Sequence, residues 1–143
     1  MKRQLARIIA TGIMAIATTA IPLAAHADAG TPSVTCPPSG DMFNIGSYGY
    51  GYWNQDPGSC SPGDSVLICD NKADGWGIEV YEYLSDGSPL DPFGPGATTR
   101  GHGAPYCSPW STHNLAEGTQ VYLDFYAVKG DSKKYIGRTW ASA

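Results

Sequence analysis

Gln120-Val121-Tyr122-Leu123-Asp124-Phe125-Tyr126-Ala127 decides the fold class. Val121, Leu123, Phe125 and Ala127 fall on one side of an extended chain and Gln120, Tyr122, Asp124 and Tyr126 on the other, the period-two pattern of a strand with one buried face. Glu117-Gly118 supplies a turn before it, and Lys129-Gly130-Asp131-Ser132-Lys133 returns the chain into a further strand over 135–140. Upstream, the turn Ser61-Pro62-Gly63-Asp64-Ser65 leads into the short apolar strand Val66-Leu67-Ile68-Cys69. Trp76, Ile78 and Val80 then alternate with Gly77, Glu79 and Tyr81, so a hairpin is expected over 66–84. Pro and Gly make 85–109 a long loop with one short strand near 97–100. No ten-residue stretch after residue 27 carries apolar residues at helical spacing. The expectation is all-β: a small immunoglobulin-like β-sandwich, or a small barrel, of about five to seven strands.

The chain opens with Lys2, Arg3 and Arg7 ahead of an apolar run over 8–25, and Ala25-His26-Ala27 places small residues where a signal peptidase cuts. Thr11, Gly12, Thr18, Thr19 and Pro22 dilute that run below what a transmembrane helix needs. No cysteine stands at the cut for lipid attachment. The reading is a signal peptide over 1–27, a flexible leader over 28–41, a single β domain over 42–143, and a secreted, extracellular product. Past residue 27, six Lys and Arg face thirteen Asp and Glu, a net charge of −7. Such a surface disfavours nucleic acid and anionic membranes as partners.

Four cysteines, Cys36, Cys60, Cys69 and Cys107, follow the signal, and an even count in an exported chain reads as two disulfides. Of the three pairings, Cys36–Cys60 with Cys69–Cys107 is favoured, because the first closes the irregular leader and the second ties a core strand to the long loop. Each would contribute about 3 to 4 kcal/mol in the chain-entropy account. The cysteines form no CxxC pair for His102 and His113 to stand near, so the spacing does not suit a cysteine zinc site.

Cys69-Asp70-Asn71-Lys72-Ala73-Asp74-Gly75, Ala97-Thr98-Thr99-Arg100-Gly101-His102, Pro105-Tyr106-Cys107 and Asn114-Leu115-Ala116-Glu117-Gly118-Thr119, followed by a strand hairpin, resemble the small secreted proteins of streptomycetes and other filamentous actinobacteria. The resemblance covers about residues 60–140, rests on turn and disulfide elements, and implies location and fold without an activity.

Three constellations suggest chemistry. Gly63-Asp64-Ser65-Val66 looks like the nucleophile block of Gly-Asp-Ser-Leu esterases, but no Asp-x-x-His follows and no helical scaffold is available, so it reads as a turn before a strand. Asp70, Asn71, Asp74 and Gly75 gather oxygen donors, yet Lys72 and Tyr81 stand where an EF-hand needs ligands; a connecting turn is the better account, and a weak calcium site of another kind stays open. His102 and His113 with Asp91, Asp124 or Ser108 permit a triad on paper only. No catalytic residue, metal or cofactor is therefore expected.

Nine Tyr, four Trp and three Phe are more aromatic surface than two thin sheets need. Tyr48, Tyr50, Tyr52 and Trp53 are the densest group, and an exposed strip of them would suit stacking on sugar rings. Trp76, Trp110 and Trp140 are expected in the core or at its rim. The expected function is a secreted non-catalytic binding protein with extracellular polysaccharide as partner through the 48–53 aromatics, or else an extracellular protein. The alternative is a proteinaceous inhibitor acting through the 85–109 loop, and a small secreted hydrolase comes third.

Overall fold

Val121, Leu123, Phe125 and Ala127 are all buried, as their alternation requires, on the longest inner strand of an all-β domain. The computed structural model describes residues 38–143. Its strands are β1 (Asp41–Asn44), β2 (Gly49–Asn54), β3 (Ser65–Asp70), β4 (Gly77–Leu84), β5 (Ala97–Thr98), β6 (Tyr106–Cys107), β7 (Gln120–Lys129) and β8 (Ser132–Ser142). No helix forms among the described residues, so none there is long and apolar enough to cross a membrane. The expected signal peptide, most of the leader and Cys36 lie outside the described residues.

Two four-stranded antiparallel sheets form, in the orders β1-β2-β3-β6 and β5-β4-β7-β8. Trp53, Val66 and Ile68 from the first meet Ile78, Val80, Val121, Leu123 and Phe125 from the second in one hydrophobic cluster. The hairpin expected over 66–84 does not form. β3 pairs with β2 and β6, whereas β4 pairs with β5 and β7, so residues 71–76 carry the chain from one sheet to the other. β2 and β6 occupy the two edges of β3, all six residues of which are buried, so no edge is left for β4.

Past β6, Ser108 and Ser111 extend the edge of β3. Each backbone N–H donates to β3, to Ile68 O at 2.8 Å and Val66 O at 2.9 Å, and each hydroxyl accepts the N–H of that same β3 residue. The Cys69–Cys107 disulfide forms as expected and joins directly paired residues of β3 and β6. Cys60 is not free, and its expected bond to Cys36 has one end outside the described residues.

The β7–β8 pairing shifts register between Phe125 and Tyr126, a bulge at Ile136. Tyr135 stands opposite Tyr126 and Arg138 opposite Asp124, so both share the outer face although they are three residues apart. Strict alternation would put Trp140 on the same side as the half-buried Ile136. The bulge turns it outward instead, and Trp140, expected in the core or at its rim, is 58 % exposed.

Candidate functional site

The four aromatics of 48–53 do not form an exposed coplanar strip. Trp53 is 3 % exposed, sits in the core and donates its indole N–H to Ser142 O at 2.8 Å. Tyr48 packs against that core. Tyr50 and Tyr52 face outward, but β2 pairs them with Cys69 and Leu67, leaving both half-buried and edge to face with ring centroids 5.9 Å apart. Gly49 and Gly51 take the inner positions because they must: a Cβ on Gly51 would stand 2.5 Å from the Phe43 ring. Sequence spacing put Tyr50 and Tyr52 on one face, as found, but Tyr48 leaves that face for the core, and spacing could not show that the two outward rings are half-buried.

The larger aromatic surface is the outer face of β4, β7 and β8. Tyr83 stacks on Tyr122 at 5.0 Å, Tyr122 meets Trp140 edge-on at 5.3 Å, and Tyr126 meets both Tyr81 and Tyr135 edge-on at 5.5 Å. Cations lie on these rings: Lys133 Nζ is 3.6 Å from the Tyr81 centroid and 4.3 Å from that of Tyr126, and the Arg138 guanidinium is 3.8 Å from that of Tyr122. Arg138 also clamps Asp124 through two bonds of 2.6 and 2.8 Å, which holds its guanidinium in the charged form, and Arg100 donates to Glu79 at 2.7 Å. Every cation named here has a carboxylate partner, so the rings are held in fixed orientations. Tyr135 and Trp140 remain the exposed members.

Trp140 borders an open groove of about 340 Å³ between the β1–β2 edge and the end of β8. Asp41, Gln55, Gln120 and Thr139 give it hydrogen-bonding groups, and Met42 and Phe43 an apolar wall. The signal that could have found this site is the alternation Tyr122, Asp124, Tyr126, read for its outer rather than its inner face.

A second cluster lies under the 85–109 loop. Glu82, on the inner face of β4, is buried with no exposed side-chain surface. Its carboxylate accepts the Ser111 hydroxyl at 3.1 Å and faces His113 Nε2 at 3.1 Å; Asp91 Oδ2 lies 3.5 Å from the same nitrogen. Glu82 foremost, with Asp91 and Asp64 adding charge, pushes the His113 imidazole pKa up against the opposing effect of burial. Of the triads drawn from sequence, only His113 with Asp91 is brought together. His102 stacks on Tyr106 at 3.8 Å, Asp124 is held by Arg138, and Ser108 serves β3. Glu82 has the parity of Ile78 and Val80, so the alternation already points it inward; it was missed because the strand was read for its apolar residues alone.

The other motifs are structural. The Ser65 hydroxyl is buried and donates to Pro62 O at 2.6 Å, while Asp64 accepts the Leu115 N–H at 2.8 Å. Asp70 and Asp74 accept the N–H of Lys72 and Trp76, each at 2.9 Å, which makes 70–76 the turn expected there. No family model, curated protein or solved structure matches this chain.

Proposed function

We propose that the protein is a secreted, non-catalytic binding module that engages extracellular polysaccharide at Trp140 and the groove beside it. The observation that carries this reading is an exposed tryptophan at the rim of an open groove lined by Asp41, Gln55, Gln120 and Thr139. An indole offers a flat apolar face to a sugar ring, and amides and carboxylates pair with its hydroxyls. Tyr122 and Arg138 hold the indole's surroundings rigid, which limits the ordering cost of binding.

The scaffold we infer is an immunoglobulin-like sandwich, and strand order supports it. β2, β3 and β6 correspond to strands A, B and E, and β5, β4, β7 and β8 to C′, C, F and G. Three departures stand beside this: β1 is additional, no strand among the described residues takes the place of D beyond β6, and the disulfide lies within one sheet rather than between sheets.

A specific observation favours a second reading, protein binding through the 85–109 loop. Phe93 is fully exposed at the tip of Asp91-Pro92-Phe93-Gly94-Pro95, between anchors where Leu90 N donates to Glu82 O at 2.9 Å and Gly96 N to Val80 O at 3.0 Å. A rigid loop presenting one apolar side chain suits insertion into an enzyme's pocket.

Retention on insoluble chitin, cellulose and acidic polysaccharides, followed by tryptophan fluorescence with soluble oligosaccharides, tests the first reading. Retention with an altered Trp140 signal is expected. A protein retained by none of them, while Phe93→Ala abolishes a protein complex, would replace the first reading by the second.

A further inference from the structure

We propose that Glu82, Asp91 and His113 form a site for one divalent cation of the zinc type, which clamps the 85–96 and 108–119 segments onto β4. The donors come from three separate segments, and one atom from each lies within 4.8 Å of the others. The two separations from His113 Nε2, 3.1 Å to Glu82 Oε2 and 3.5 Å to Asp91 Oδ2, bracket the edge of a tetrahedral shell. Bonds of about 2.0 to 2.1 Å to nitrogen and oxygen give an edge of roughly 3.3 to 3.4 Å. A small inward movement of three side chains would complete three corners, leaving the fourth to water.

The surroundings of the cluster fit a metal site as well. Ser111 donates to the other oxygen of Glu82, so the liganding oxygen is oriented by an outer hydrogen bond, as metal-bound carboxylates commonly are. Gly96 makes the room: a Cβ there would stand 1.6 Å from Glu82 Oε2 and 3.1 Å from Asp91 Oδ2. Two carboxylates converge on one imidazole, which can supply at most one positive charge, so a divalent ion balances the cluster better than the imidazole alone. Asp91, whose side chain is 42 % exposed, provides the approach from solvent. One histidine with two carboxylates is a nitrogen–oxygen set suited to zinc, and the imidazole disfavours calcium or magnesium.

The test uses the untagged protein, stripped with a chelator and titrated with zinc chloride at about pH 7.5, where an imidazole can lose its proton to a metal. One zinc per chain is expected, with a melting temperature raised by about 5 °C at saturation. His113→Gln and Asp91→Asn should each weaken binding at least about 30-fold, while His102→Gln should leave it unchanged. Asp91 is half-buried at a loop, so its variant keeps the test open if the His113 variant fails to fold. Absence of binding heat and melting shift, zinc binding indifferent to both variants, or calcium bound in preference to zinc would each overturn the proposal. None of these outcomes touches the polysaccharide reading, which concerns a different face.

Discussion

The outer faces of the two sheets both carry tyrosines at alternate positions, yet they are different surfaces. On the first, Tyr50 and Tyr52 stand over Leu67 and the Cys69–Cys107 disulfide, and the strand's own tryptophan, Trp53, turns into the core. On the second, Tyr81, Tyr83, Tyr122 and Tyr126 lie over polar partners and cations, and Trp140 turns out to solvent. All six tyrosines are half-buried, but on the first face they cover apolar surface and on the second they pack with cations beside the exposed Tyr135 and Trp140. What decides is the strand beneath and beside them: a fully buried β3 needs covering, whereas bulged β8 is an edge facing water.

The contrast is sharpest between the two tryptophans. Trp53→Ala should remove about 3 to 5 kcal/mol of stability, read from urea unfolding, because a fully packed ring and its bond to Ser142 are lost. Gly51→Ala should follow at about 1 to 3 kcal/mol, since its Cβ meets the Phe43 ring. Equal stability of either variant with the parent would break the claim that β2 is a covered strand.

Two buried aspartates separate the faces more finely. Burial, with Asp74 nearby, holds the Asp70 carboxyl above the ordinary carboxylate range, whereas Asp124 is clamped by Arg138. A raised folded pKa means that Asp70 favours the fold at pH below its unfolded value and that this contribution is lost as pH rises through the folded value. Asp70→Asn should therefore gain on the parent as pH rises from acid to neutral, and stay within about 1 kcal/mol of it at pH 7. Asp124→Asn should lower the urea midpoint at neutral pH by loosening Arg138. Smallest in stability is Trp140→Ala, at under about 1 kcal/mol, as befits an exposed ring.

Much of this architecture was legible in the residues. The alternation over 120–127 gives a half-buried strand, and the turns at 61–65, 117–118 and 129–133 bound strands as their chemistry requires. The sheet assignment of β3 and β4 was not legible. Two apolar strands joined by a turn look alike whether they pair or cross between sheets, and the long-range pairing of β3 with β2 and β6 decides. The aromatic site was half legible: period two places tyrosines on one face, but exposure depends on long-range pairing, and a bulge at Ile136 reverses the side on which Trp140 falls. In the Glu82–His113–Asp91 cluster the alternation with Ile78 and Val80 points Glu82 inward, but loop closure across 31 residues, which brings His113 to it, leaves no local pattern.

Retention of Trp140→Ala beside Tyr50→Ala on an insoluble polysaccharide that holds the parent protein shows which of the two faces binds sugar. Trp140→Ala should lose at least about tenfold in affinity, since a stacked aromatic anchor carries much of the binding energy, and Tyr50→Ala should be retained like the parent. Retention lost in Tyr50→Ala and kept in Trp140→Ala, with both variants folded, would contradict this and return the binding surface to β2.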